Sequence, residues 1–242
     1  MDTRKFKKIW PAIIAALEKE IPFYDKAGEW ISLGSAQKTR KYAAEKSHLN
    51  PALSVLDVGV GTGLMSAAIS RVCKPRTLVT LDFSTAMLRA AAARFSTMSS
   101  LEIDRVRGVF EALPFFDDCF DRVYSAFALE DTAEKRLMMS ELHRVCKTSG
   151  MVMIVNMGKP DNFIIRALTS FYIRKVMPVI AKMLILGRMR GNPWRLLIPV
   201  YESLPTNNIL LKEAMGVFGN AAVKKFLLGG VVVIIATKQR HL

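Results

Sequence analysis

Between Ser54 and Asn156 short apolar runs alternate with segments in which apolar residues recur three and four positions apart, and no other feature of the chain constrains its fold as strongly. A strand buried on both faces reads as an unbroken apolar run, and a helix packed on a sheet reads as a 3.6-residue period. The alternation therefore predicts βαβ units in a parallel sheet. Strands are expected over 54–58, 78–82, 103–108, 121–126 and 151–156, with crossover helices over 65–72, 86–95 and 134–146. A further helix over 210–217 and two β runs, 222–228 and 231–237, close the chain. The Gly229–Gly230 pair between those runs predicts an antiparallel hairpin. The fold class is thus α/β, with a seven-stranded, mostly parallel sheet.

The first strand runs into LDVGVGTGLM, Leu56 to Met65. Glycines 59, 61 and 63 allow the backbone to approach a ligand at the carboxyl end of a strand, where open α/β sheets bind ligands. A dinucleotide fingerprint would place its third glycine at position 64, which is Leu. Asp57 offers an acceptor that orders the turn or meets a ligand's ammonium group, which suits a zwitterion better than a pyrophosphate. The second strand ends in Asp82, placed to bridge vicinal ribose hydroxyls. The competing reading is a tight turn followed by a helix cap at Asp82 or Ser84.

The three cysteines, Cys73, Cys119 and Cys146, are far apart and include no C-x-x-C, so neither a disulfide framework nor a metal site is indicated, and a reducing cytoplasm is expected. With 35 basic against 21 acidic residues, the net charge of +14 favours an anionic partner, either nucleic acid or an acidic membrane leaflet. The greasiest stretch, VMPVIAKMLILG from Val176, is interrupted by Pro178 and Lys182, so a spanning helix is not expected. The basic, then apolar, N-terminal segment lacks a small-residue cleavage site and reads as retained.

LDVGVGTG, LDFSTAML, FEALPFFDDCFDRV and HRVCKTSGMVMIVNMGKP resemble, in order and spacing, the motifs of class I S-adenosylmethionine-dependent methyltransferases. YDKAGEWISLGSAQKTRKY from Tyr24, the pair Lys159–Pro160, and FLLGGVVVIIATK look like the ubiquinone/menaquinone C-methyltransferase family, so the resemblance spans about Tyr24 to Lys238. It implies a Rossmann-like fold. Residues 1–50 would form an N-terminal helical segment covering the cofactor site, and 51–242 a methyltransferase domain with a helical lid insertion at about 160–205.

The resemblance further implies that S-adenosyl-L-methionine, leaving as S-adenosyl-L-homocysteine, lies against Asp57, Gly59, Gly61, Thr62 and Gly63, with Asp82 on its ribose and Phe83 and Met87 beside its adenine. Many relatives carry a small acidic or amide residue two before the Glu of the third motif. Here that Glu is Glu111 and that place is Val109, which leaves adenine recognition to backbone donors and to packing by Phe110. Tyr24 and Asp25 are candidates for closing over the cofactor. Tyr24, Arg40, Asn156, Lys159, Tyr172 and Tyr201 occupy places resembling the family's acceptor pocket.

Methyl transfer from a sulfonium needs in-line positioning, exclusion of water and a deprotonated nucleophile, with no metal or covalent intermediate. A quinol ring carbon needs its neighbouring hydroxyl deprotonated and the resulting charge stabilised. The quinone family offers an Arg-Asn pair after the fourth strand, whereas this chain reads FALED, Phe127 to Asp131, with Glu130 and Asp131 in its place. Two carboxylates there act as a base or favour a cationic acceptor. The structural alternative has Asp131 capping the next helix and Glu130 facing water. His48, His143 and His241 read as structural or terminal.

From Phe163 to Ile198 there are seven basic residues, Arg166, Arg174, Lys175, Lys182, Arg188, Arg190 and Arg195, and no acidic ones, among Phe, Leu, Ile, Met and Trp. An interfacial segment needs an apolar face for acyl chains and cations for headgroups, so peripheral attachment at the cytoplasmic face of the inner membrane is expected. Packing on the domain or on a second subunit of a homodimer is the alternative. Nucleic acid is disfavoured because aromatic interleaving is sparse. The sequence thus points to methyl transfer to a lipophilic acceptor, first a quinone precursor. An amine N-methyltransferase and a noncatalytic scaffold are the alternatives.

Overall fold

The computed structural model describes residues 18, 21–98, 102–132, 134–185 and 197–239. Strands β1 (Ser54–Val58), β2 (Thr77–Asp82), β3 (Ile103–Arg107), β4 (Phe120–Ala126), β5 (Cys146–Met157), β6 (Ala221–Phe226) and β7 (Val231–Thr237) form one sheet in the order β3-β2-β1-β4-β5-β7-β6. The first five are parallel, and β7 is antiparallel to both β5 and β6. The sheet is therefore the seven-stranded, mostly parallel one expected. Every residue of β1 is buried, which is why this strand reads as a continuous apolar run broken only by Asp57.

Helices α1 (Ile21–Ile31), α2 (Ser35–Lys46), α3 (Leu64–Val72), α4 (Thr85–Phe95), α5 (Lys135–Val145), α6 (Phe163–Phe171), α7 (Met177–Ile185), α8 (Leu197–Ser203) and α9 (Asn207–Phe218) surround it. On one face Met138 and Leu142 of α5 and Leu210, Ala214 and Phe218 of α9 pack on Leu56, Val123, Ile154 and Ile234. On the other, Ala43 and Ala44 of α2 and Met65 and Ile69 of α3 pack on Val55, Tyr124, Met153 and Val233. His143 packs edge-on against Phe218 with ring centroids 5.8 Å apart, and His48 is exposed just past the end of α2.

Several boundaries differ from those expected, two of them for a clear reason. Strand β5 begins at Cys146, because α5 stops at Val145 and the chain enters the sheet at once, Cys146 pairing with Phe120. Strand β6 ends at Phe226, because the chain reversal takes in Leu227 and Leu228, both in the left-handed region (φ 46° and 54°), ahead of Gly229 and Gly230.

The insertion after β5 is helical where described: α6, a π turn over Tyr172–Val176, α7 and α8. Ile173, Met177, Ala181, Tyr201 and Leu204 share a small core with Ala27 of α1. The Tyr172 hydroxyl donates to the Ile31 carbonyl at 2.9 Å. No described helix is long and apolar enough to cross a membrane.

Candidate active site

The order of the sheet reverses between β1 and β4, and splaying loops at such a switch point open a crevice at the strands' carboxyl ends. The turn after β1 leans across β2: the Gly59 and Val60 amides donate to the Leu81 carbonyl at 2.8 and 3.0 Å. Gly59 has φ +74°, and a Cβ there would lie 2.5 Å from the Ala128 Cβ and 3.2 Å from the Phe110 ring, so only glycine fits. Gly61 has φ +52° and nothing within 4 Å of a Cβ position, which leaves its backbone open for a close approach. Gly63 packs against Phe95 of α4.

Asp82 holds this turn from β2. Its Oδ2 accepts from the Gly61 amide and its Oδ1 from the Ser84 amide, both at 2.9 Å. The cap of α4 is Ser84, whose hydroxyl accepts from the Met87 amide at 3.1 Å. Asp82 is thus spared for the cleft wall, where burial holds its pKa above the ordinary value. Beneath the turn, Asp57 is fully buried; its Oδ2 accepts from the Ser66 hydroxyl at 2.6 Å and its Oδ1 has no partner among the described residues. Burial pushes its pKa up to about 6, against the pull of Ser66 and Arg40.

A clamp closes over the turn from α1. Asp25 Oδ1 accepts from the Thr62 hydroxyl at 2.6 Å, and Asp25 Oδ2 meets the Arg94 guanidinium. Arg94 Nε also donates to the Thr62 carbonyl at 2.7 Å. Asp25 is thus held against the Gly-rich turn; the Tyr24 side chain lies outside the described residues.

On the β4 side, Phe127 turns the chain with φ +57°, its amide donating to Val155 O at 2.7 Å. Its ring lies 4.9 Å beneath the guanidinium of Arg40, which pairs with Glu29 at 3.2 Å. The next residues form a single 3-10 turn, Leu129–Asp131. Asp131 faces the cleft, whereas Glu130 is 5% exposed and its Oε2 has no partner among the described residues. Burial pushes the Glu130 pKa up to about 7, against the pull of Lys135 and Arg40. Asp131 is also raised well above the ordinary range, by burial and by the charges of Glu130 and Asp82. The N-cap residue of α5 is Glu134 and not Asp131, and the Thr132 hydroxyl takes the Glu134 amide at 3.0 Å. The structural alternative for this pair therefore fails on both counts.

The resulting cleft, about 700 Å³ with its open mouth included, brings together Gly59, Gly61, Thr62, Asp82, Phe83, Met87, Phe110, Arg40 and Asp131 from the residues singled out in the sequence. Asp57, Gly63 and Glu130 support its walls from behind. Val109 is about half exposed beside the cleft. Glu111 is drawn away, its Oε1 accepting from the Thr132 hydroxyl at 2.5 Å. Lys159 is spent on the fold, its Nζ donating to the carbonyls of Glu202 and Leu204 at 3.0 and 2.9 Å.

The profile of the ubiE/COQ5 methyltransferase family matches residues 12–238. The chain belongs to that family. As a ubiE/COQ5-family protein it is an S-adenosyl-L-methionine-dependent methyltransferase. It is 31% identical to a demethylmenaquinone methyltransferase of Lactiplantibacillus plantarum over 67% of this chain and 69% of that one. It is 30% identical to a ubiquinone/menaquinone biosynthesis C-methyltransferase of Shewanella piezotolerans over 64% of this chain and 62% of that one, so under two thirds of the latter's length is spanned. The fold is that of an Aquifex aeolicus SAM-dependent methyltransferase, with a TM-score of 0.54 at 15% identity over 82% of this chain and 89% of that one.

The cleft of this ubiE/COQ5-family enzyme is also lined by residues that the sequence did not single out. Glu18 lines it and accepts from the Ser84 hydroxyl at 2.5 Å. Leu64, Met65, Ala126 and Ala128 complete its apolar wall. Ala128 packs where Gly59 has no side chain.

Proposed function

We propose that this methyltransferase methylates a ring carbon of a quinol bearing an apolar tail. The observation that carries the reading is that Arg40 and Asp131 line the same cleft as Gly61 and Asp82, one cation and one carboxylate beside the donor-binding turn. The residues fit the donor: Gly61 leaves its backbone open to a ligand, Asp82 presents a carboxylate at the cleft wall, and the unpartnered Asp57 oxygen lies beneath a site that takes a positively charged group. When bound, the donor supplies a methyl group already made electrophilic by its sulfonium.

The protein's work is then on the acceptor. Asp131, its basicity raised by Glu130 behind it, takes the proton of the ring hydroxyl next to the carbon to be methylated. The Arg40 guanidinium, held by Glu29 and by the face of Phe127, stabilises the aryl oxide formed. The ring carbon bonds the methyl as the S–CH3 bond breaks with its electron pair left on sulfur. It then gives up its hydrogen as a proton while the oxygen is reprotonated, restoring the aromatic quinol. Phe127, Ala126 and Phe110 exclude water from the ring. The names of the relatives, which act in menaquinone and ubiquinone biosynthesis, support a quinol as acceptor.

A second reading is favoured by the carboxylates themselves: Glu18, Asp82 and Asp131 all line the cleft, and they suit an amine acceptor. Incubation of purified protein with methyl-labelled donor and a bacterial lipid extract tests both. A labelled quinone supports the first reading, a labelled aminolipid the second, and the absence of any labelled product counts against both.

A further inference from the structure

Helix α6, the π turn and α7 run on without a break as one helix over residues 163–185, and it has two unlike faces. Ile173, Met177 and Ala181 point inward to the small core shared with α1. Outward, α6 buries none of its side chains, and Phe163, Leu168 and Phe171 are 70%, 63% and 60% exposed. After the π turn, Val179 and Met183 continue the exposed apolar surface, with Lys175 and Lys182 exposed among them. The β6–β7 reversal lies beside it: a Cβ on Gly230 would come within 3.9 Å of Thr169 on α6, and Leu228 at this tip is 76% exposed. Contiguous apolar surface of this kind marks an interaction site.

We propose that this surface, α6, the outer side of α7 and the Leu227–Leu228 tip, docks on an anionic lipid bilayer. Charge selects that occupant. Phe163 to Ile198 contains no carboxylate, so lysines stand among the apolar residues with no acidic neighbour in the run. Acyl chains accept Phe163, Leu168, Phe171 and Leu228, while headgroup phosphates accept Lys175 and Lys182. A second copy of the same face would instead set lysines against lysines. The docking rests on the proposed lipophilic acceptor for its purpose, since a quinol with an apolar tail is supplied from the bilayer, but its geometry stands independently.

Co-sedimentation of the full chain with vesicles tests it, using phosphatidylcholine alone and phosphatidylcholine mixed with phosphatidylglycerol, at low and high salt. Binding is expected to the anionic vesicles at low salt, to weaken with salt, and to fall at least tenfold in the Leu168→Glu/Phe171→Glu double variant. Donor affinity in that variant should stay at the wild-type level, showing that it is folded. Vesicle binding unaltered by the substitutions overturns the proposal, as does no binding to any vesicle. A lipid-free dimer that the substitutions dissociate overturns it in favour of a second copy. Methylation of a short-tailed, water-soluble quinol is read separately: its absence with vesicle binding intact refutes the acceptor and not the docking surface.

Discussion

Asp25 on α1 accepts a 2.6 Å hydrogen bond from the Thr62 hydroxyl in the Gly-rich turn, and Arg94 of α4 binds both Asp25 and the Thr62 carbonyl. Three elements distant in the chain thereby fix the loop that approaches the donor. Asp25→Ala and Thr62→Val should each weaken donor binding about tenfold, or about 1.4 kcal/mol. The double variant should lose much less than the sum, because both remove one interaction. Isothermal titration with S-adenosyl-L-homocysteine checks this; full additivity would show that the contact does not order the turn.

Gly59 and Gly61 should respond to the same substitution in opposite ways. Gly59→Ala places a methyl group 2.5 Å from Ala128 Cβ, and should cost about 1–3 kcal/mol of stability. Gly61→Ala meets no atom of the described residues within 4 Å. It should keep most of its stability, losing about 1 kcal/mol to its left-handed φ, while donor affinity collapses. Thermal unfolding and titration, run on both variants, separate the two effects.

Asp57 gives up stability for function. Its pKa rises from 3.8 to about 6 on folding, so the fold disfavours the ionised form, and stability falls as pH rises through that window. The cost is fully present above it and amounts to roughly 3 kcal/mol. Asp57→Asn should therefore be more stable than wild type at pH 8 without donor, with the gain fading towards pH 4, and should bind donor poorly. Denaturant unfolding across this pH range would expose the opposite trend if Asp57 were a stabilising carboxylate.

The centre of the sheet was legible because strands such as β1 and β7 are buried on both faces, unlike the exposed edge strands β3 and β6, and β1 matches its predicted bounds to the residue. The donor-side residues were legible for a related reason: a close backbone approach demands glycine, and a strand-end carboxylate stands out against an apolar run. What sequence spacing does not carry is the long-range pairing. Glu111 looked like a cleft residue until Thr132 claimed it, and Lys159 like an acceptor contact until its ammonium met two carbonyls of the α8 segment. The burial of Glu130 was equally hidden, since it follows from the 3-10 turn that carries it beneath the cleft wall.

Glu130 and Asp131 should govern the acid limb of the pH–rate profile. The base, Asp131, works deprotonated, and burial and the charge of Glu130 hold its pKa well above the ordinary carboxylate range, so kcat should fall as pH drops, well above the pH at which an ordinary carboxylate titrates. Glu130→Gln removes the negative neighbour of Asp131, so the limb should move to lower pH. Turnover at neutral pH should drop about 10²-fold with donor affinity little changed. A limb that stays in place would remove the pair from proton transfer.

The most direct test of methyl transfer to a quinol carbon is to supply the purified enzyme with ¹³C-methyl donor and a chemically reduced naphthoquinol that has one unsubstituted position on its quinol ring, and to read the product by ¹³C NMR. A methyl resonance on the ring carbon, lost in Arg40→Ala and Asp131→Asn, is the predicted result. A methoxy resonance, or no product from enzyme shown by titration to bind the donor, would contradict it.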